Sequence, residues 1–244
     1  MSNATKVADR DLARLAPGRD RTNVRGEATR EQILLTAERL FAERGIQAVP
    51  LRDIGLAADQ KNKFAVQYHF GNRDNLVRAI AEYRARTLID SYDQLIADLV
   101  TAGSPPSVID WVRALVKALA VNLADESHFL PFVSRYIIER GGYAGLDETM
   151  PKGSISTLMV LAQRLLPDLT VELLSERWEI LFTSAVHALA RYQIAHKSGQ
   201  LRAPLDYLLE DLVRTLAAGL QVPPPGDEPE LGRGVLRSAI SNSR

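Results

Sequence analysis

The chain has 244 residues, 30 Lys and Arg against 30 Asp and Glu, and no cysteine. That length supports one large or two small domains with self-sufficient cores. The lack of cysteine excludes a disulfide scaffold, a thiol nucleophile and a thiolate metal site, and it fits a cytoplasmic protein. The zero net charge hides an asymmetry: residues 1–86 carry 16 basic and 11 acidic side chains, and residues 87–244 carry 14 and 19. A surplus of five positive charges at one end is what a domain facing a polyanion would have. Lys6, Arg10, Arg14, Arg19, Arg21, Arg25 and Arg30 leave no apolar core for a signal peptide. The most apolar stretch, 111–124, is interrupted by Arg113, Lys117 and Asn122, well short of the roughly 20 apolar residues of a membrane span. No membrane association is expected.

Apolar residues recur at three- and four-residue steps nearly everywhere, so the expected class is all-α. Residues 1–28 lack periodicity and read as a flexible basic arm. Thr29-Arg30-Glu31-Gln32 has the form of a capping box, Ile33, Ala37, Leu40 and Phe41 form one apolar face, and Gly45 ends the first helix. A second helix follows Pro50 through Leu51, Ile54 and Ala58, and a third is expected from about 62 to 70, with Phe64, Val66 and Phe70 as its core residues. Asn72 and Asp74 suit the start of a fourth helix reaching about residue 100. After the break at 102–106, helices are expected near 107–124, 127–140, 153–166, 170–198 and 205–220, with a loop at 141–145. Residues 221–244, opened by a proline run, read as a mobile tail.

Three short helices joined by tight turns, the third rich in polar and aromatic residues, form the pattern of a helix-turn-helix DNA reader. In the third, Lys61 and Lys63 offer ammonium groups to phosphate, and Asn62 and Gln67 carry the paired donor and acceptor that match an adenine edge. Tyr68 and His69 can reach phosphate oxygens, and Arg73 opens the fourth helix where a phosphate would meet a helix N-terminus. A solvated polar face is the alternative reading of these residues.

The segment 29–80 resembles the N-terminal domain of the TetR (tetracycline repressor) family. The resemblance lies in Thr29-Arg30, Ile33-Leu34, Ala37, Leu40-Phe41, Glu43 and Gly45, in Leu51-Arg52-Asp53-Ile54 with Ala57-Ala58, and in Tyr68-His69-Phe70 followed by Asn72-Arg73-Asp74-Asn75-Leu76. The sequence departs from the family pattern at Pro50, where a Ser or Thr cap is usual, at Gly55, usually Ala, and at Asp59, where a turn glycine is common. The resemblance implies a helix-turn-helix DNA-binding domain at 29–73 and a larger helical ligand-binding and dimerisation domain at 74–220. It further implies a homodimer that binds a palindromic operator in double-stranded DNA and responds to a small-molecule effector, most simply as a repressor released by it.

The apolar faces of the two long C-terminal helices would serve an intramolecular core, but the resemblance implies that these helices pair with their copies, through Leu174, Trp178, Leu181, Ala185 and Leu189 in one and Leu209, Leu212 and Leu216 in the other. By the same resemblance, an effector pocket would lie among Tyr92, Trp111, Phe129, Phe132, Tyr136 and Met159, residue types that also serve ordinary cores. No catalytic constellation, metal site or cofactor motif is recognised, and the histidines at 69, 128, 187 and 196 lack ligand spacing, so no enzyme and no cofactor are expected. A transcriptional activator with the same DNA domain, and a helical interaction module without DNA binding, remain as alternatives.

Overall fold

The computed structural model describes residues 18–101, 105–123, 127–146 and 152–224, with the side chains before residue 26, those of 152–155 and most of those in 87–100 outside that description. Among the described residues there are helices and no strand. In chain order they are α1 (Gly18–Arg44), α2 (Leu51–Ala57), α3 (Ala65–Phe70), α4 (Arg73–Thr101) and α5 (Val108–Ala120), the last continued by a 3-10 turn at Val121–Leu123. Then come α6 (Phe129–Arg140), α7 (Lys152–Leu165), α8 (Val171–Lys197) and α9 (Leu205–Leu220).

Helix α1 starts eleven residues before the expected cap, so Thr29 lies inside it and the expected box does not open the helix. Residues 18–28 contain no proline. Once the buried stripe Ile33, Leu34, Ala37, Leu40 and Phe41 fixes a helix, each upstream residue extends it at little cost. The part of the expected arm at 18–28 is therefore helical, and residues 1–17 lie outside the described residues. At the other end, Gly45 takes φ +95°, a left-handed conformation that a side chain would resist.

Pro50 is extended and stands at the N-cap of α2. Asp59 supplies a φ of +53° in the turn, where glycine is the easier residue. Helix α3 begins three residues later than its periodicity suggests. Asn62 closes a local turn instead, its Oδ1 accepting from the amide of Phe64 at 2.9 Å and its carbonyl accepting from Ala65 at 3.0 Å. Asn72 caps α4 as expected, accepting from the amide of Asn75 at 2.8 Å.

Helix α6 crosses α1 and α8, and its aromatic residues join the N-terminal helices to the rest. Phe132 stacks on Phe41 with ring centroids 6.3 Å apart, and Phe129 and Tyr136 flank it. Trp111 belongs to a second cluster. Its indole donates to the carbonyl of Leu158 at 3.1 Å, and its ring meets Trp178 edge-on at 5.5 Å. The expected tail is anchored at its start, because Arg177 donates to the carbonyls of Leu220 and Val222, at 2.8 and 2.5 Å.

Polar groups bind the N-terminal helices to α4 and α6. Glu38 is only 2% exposed. It receives two hydrogen bonds from Arg84 of α4, at 2.7 and 2.8 Å, and one from the amide of His128 at the entrance to α6, at 2.9 Å. Glu139, in the last turn of α6, accepts from the amides of Ile46 and Gln47 at 3.0 and 3.2 Å. Arg73 grips the same loop, donating to the carbonyl of Ile46 and, at 2.7 Å, to that of Val49.

Glu38→Ala leaves Arg84 largely buried without its counter-ion and should cost about 3 kcal/mol in a urea unfolding titration, whereas Glu38→Leu combined with Arg84→Met should recover most of that loss. The departure at Gly55 gives a prediction of opposite sign. A methyl group there would sit 3.6 Å from Val66 Cγ2, an ordinary contact. Gly55→Ala should therefore raise stability by about 0.5–1 kcal/mol in the same measurement.

Candidate nucleic-acid interface

Helix α3 is short, and its inward face is fixed by the buried side chains of Ala65, Val66 and Phe70. At about 100° per residue, Gln67, Phe64 and Tyr68 then occupy one outward arc of about 100°, with Phe64 in its middle. All three are exposed, Phe64 by 56% and Tyr68 by 83%. The expectation that Phe64 belongs to the core is thus corrected. Position 64 precedes the first helical turn, and the inward face of α3 is already filled without it.

Lys61, Asn62 and Lys63 are exposed on the turn that leads into the arc, and the Lys63 ammonium lies 5.1 Å from the centre of the Phe64 ring. His69 is half-buried, about 100° further round the helix than Tyr68, and packs against both aromatic neighbours. Four of the seven expected DNA contacts, Lys61, Lys63, Gln67 and Tyr68, are therefore exposed on the arc or the turn leading into it, and His69 is packed beside Tyr68.

Two assignments change. Asn62 accepts from the amide of Phe64 with its side-chain oxygen, which ties the side chain to the turn and leaves one lone pair and the amino group for any other partner. Arg73 is half-buried, and its guanidinium serves the carbonyls of Ile46 and Val49 and lies 6.0 Å from the Phe41 ring. Its work is holding the turn between α1 and α2. A run of alternating donors in the sequence does not reveal which side chain the backbone will claim.

Most of the expected dimerisation residues are already covered by the chain's own core. Leu174, Leu181, Ala185, Leu189 and Leu212 are buried within the single chain, and Trp178, Leu209 and Leu216 are half-buried. The outward stripe of α8 is a different one. It carries Ile180, 65% exposed, then Ser184, Arg191 and Ile194, 59% exposed. On α9, Tyr207, Thr215 and Gly219 are exposed. A shallow groove of about 300 Å³ between the two helices is lined by Ile180, Leu216 and Gly219 among others.

The six aromatic and thioether candidates also separate. Phe129, Phe132 and Tyr136 are buried along α6, Trp111 is buried against Trp178, Met159 is half-buried against the core, and the side chain of Tyr92 lies outside the described residues. His187 is half-buried on α8 with its Nδ1 at 2.7 Å from the Ser134 hydroxyl, a partnered helix histidine. Among the described residues no helix is long and apolar enough to cross a membrane.

Residues 33–80, which include α2, α3 and the turns that shape the exposed arc, match the family described as bacterial regulatory proteins, tetR family. The chain carries a TetR-family DNA-binding domain. A domain of that kind supports a role in transcriptional regulation. The fatty acid degradation regulator FadR from Bacillus halodurans has a similar fold, with 15% identity, 78% of this chain and 93% of that one covered, and a TM-score of 0.51. A regulator from Mesorhizobium loti assigned to the TetR family gives 15% identity over 80% and 96% of the two chains, with a TM-score of 0.49. No curated protein matches the sequence.

On this TetR-type surface the outward side chains have separable effects. Lys63→Ala should weaken binding to all sequences and lower the slope of log affinity against log salt by about one, while Gln67→Ala should relax base preference at a single position of a selected site. Fluorescence-anisotropy titrations of both variants at several salt concentrations check the pair.

Proposed function

We propose that the protein is a homodimeric repressor that leaves a palindromic operator when a small, largely apolar molecule binds its C-terminal helices. In this reading residues 29–73 read DNA through Lys61, Lys63, Gln67, Tyr68 and His69, and residues 74–220 bind the effector and the second copy. The observation that carries it is the double grip on the loop at 46–49, held by Glu139 of α6 and by Arg73 at the head of α4. Because both helices continue into the C-terminal region, a shift there moves the loop and the α2–α3 unit with it.

An effector releases DNA only if it prefers a conformation in which the two reading helices no longer meet successive major grooves, roughly 34–36 Å apart. Phe129, Phe132 and Tyr136 have a structural task in the joint, so the surroundings of Trp111, Met159 and Tyr92 are the better place for the effector. Linkage is reciprocal: an effector that weakens operator binding tenfold binds tenfold more weakly to the DNA complex, a coupling of about 1.4 kcal/mol. Calorimetric titration of candidate effectors with and without operator DNA measures both sides. Equal affinity in the two states rules a candidate out.

The dimer face in this reading is the outward stripe of α8 with the neighbouring edge of α9. Its exposed isoleucines would otherwise be left in water on a face that the chain's own core does not use. Ile180→Glu should give a folded monomer by sedimentation velocity, since that side chain is outside the core. Leu181→Glu should instead unfold the chain, because it places a charge among buried residues. A wild-type chain that sediments as a monomer at micromolar concentration would overturn the dimer.

A further inference from the structure

We infer that Phe64 is a base-reading residue that packs against the C5-methyl group of a thymine in the major groove. This rests on the DNA-binding reading and goes beyond it by assigning a specificity contact to an apolar side chain. Four observations converge on it. Phe64 lies in the middle of the outward arc of α3, between Gln67 and Tyr68, and is 56% exposed in a chain whose other phenylalanines among the described residues are buried. It stands at the N-terminal end of the reading helix, the end whose residues approach base edges when such a helix enters the major groove. Its backbone is fixed before any DNA arrives, because its amide donates to Asn62 Oδ1 at 2.9 Å. And the Lys63 ammonium beside its ring supplies a phosphate-seeking group next to the apolar surface, as a residue seated near the groove edge would need.

A phenyl ring has no donor or acceptor for the hydrogen-bonding edges of the bases. The one apolar group that the major groove displays is the thymine methyl. An exposed phenylalanine in the centre of the reading arc is therefore matched to thymine by chemistry, and burying the ring against that methyl removes both from water. Polar neighbours divide the remaining work. Gln67 can address an adenine edge, and Tyr68 can reach the backbone.

The test begins with selection of bound sequences from random duplex DNA by the wild-type chain. Each thymine of the selected half-site is then replaced in turn by deoxyuridine, which preserves the hydrogen-bonding edges and removes only the methyl. At one thymine position the wild type should lose about fourfold in affinity per half-site, the factor expected for one buried methyl group. Phe64→Ala should bind the thymine and uracil duplexes equally at that position, and Phe64→Leu should retain part of the discrimination. Circular dichroism of Phe64→Ala should match the wild type, since the ring contributes nothing to the core. The inference fails if the wild type is indifferent to methyl removal at every thymine, or if Phe64→Ala keeps the full discrimination. A selection that enriches no sequence would overturn the DNA-reading assignment together with this one, whereas enrichment without methyl sensitivity overturns the role of Phe64 alone.

Discussion

Glu38 is a carboxylate taken almost wholly out of water, and a charge in that position is tolerable only when its lone pairs are filled by well-placed donors. Its three hydrogen bonds come from two different parts of the chain, the guanidinium of Arg84 on α4 and the backbone at the entrance to α6. The geometry of α1 relative to both helices is thereby fixed by one side chain. An apolar residue of similar volume could fill the space, but it would not demand a particular donor from each neighbour. Around this point the Phe41–Phe132 stack supplies burial, and the Glu139 and Arg73 contacts to the loop at 46–49 supply direction.

The consequence is mechanical. Loop carbonyls and amides that are hydrogen-bonded to side chains of two other helices cannot follow one of those helices without straining the contacts to the other. Such a joint favours a small number of discrete arrangements over continuous bending, which is what a coupling between distant sites requires. Helix α6 shares this role with α4. The long helix alone looks like the natural lever in the sequence, because its start abuts the reading helix. The fold adds a second connection through Glu139 that no local pattern announces.

What was legible in the sequence follows from what periodicity encodes. The helices and their order emerge because each buries one stripe, and Gly45, Asn72 and Asp59 mark turns by conformational preference. Residues committed to a turn were harder to read. Asn62 and Arg73 have side chains well suited to DNA, and only the backbone geometry shows that an amide and two carbonyls take them first. Helix α8 is a different case: Ile180 and Ile194 stand away from its buried stripe, and spacing alone does not tell which apolar residues meet the chain's own core. A signal was present for Glu38. It lies four residues after Leu34 and three before Phe41, on the apolar stripe itself, and a charge on such a stripe implies a buried partner elsewhere in the chain.

The charge distribution bears on how such a surface distinguishes sequences. Counterion release gives every sequence the same advantage, in proportion to the phosphates neutralised. The surplus of five positive charges in residues 1–86, with Lys61 and Lys63 on the turn into α3, supplies that uniform contribution. Further lysines would raise specific and non-specific binding alike, so the ratio between the two is set by the base contacts. Under that constraint an outward ring, an outward amide and an outward phenol on one short helix are worth more for discrimination than additional lysines. The helix can present them because its inward face needs only Ala65, Val66 and Phe70 to hold it in place.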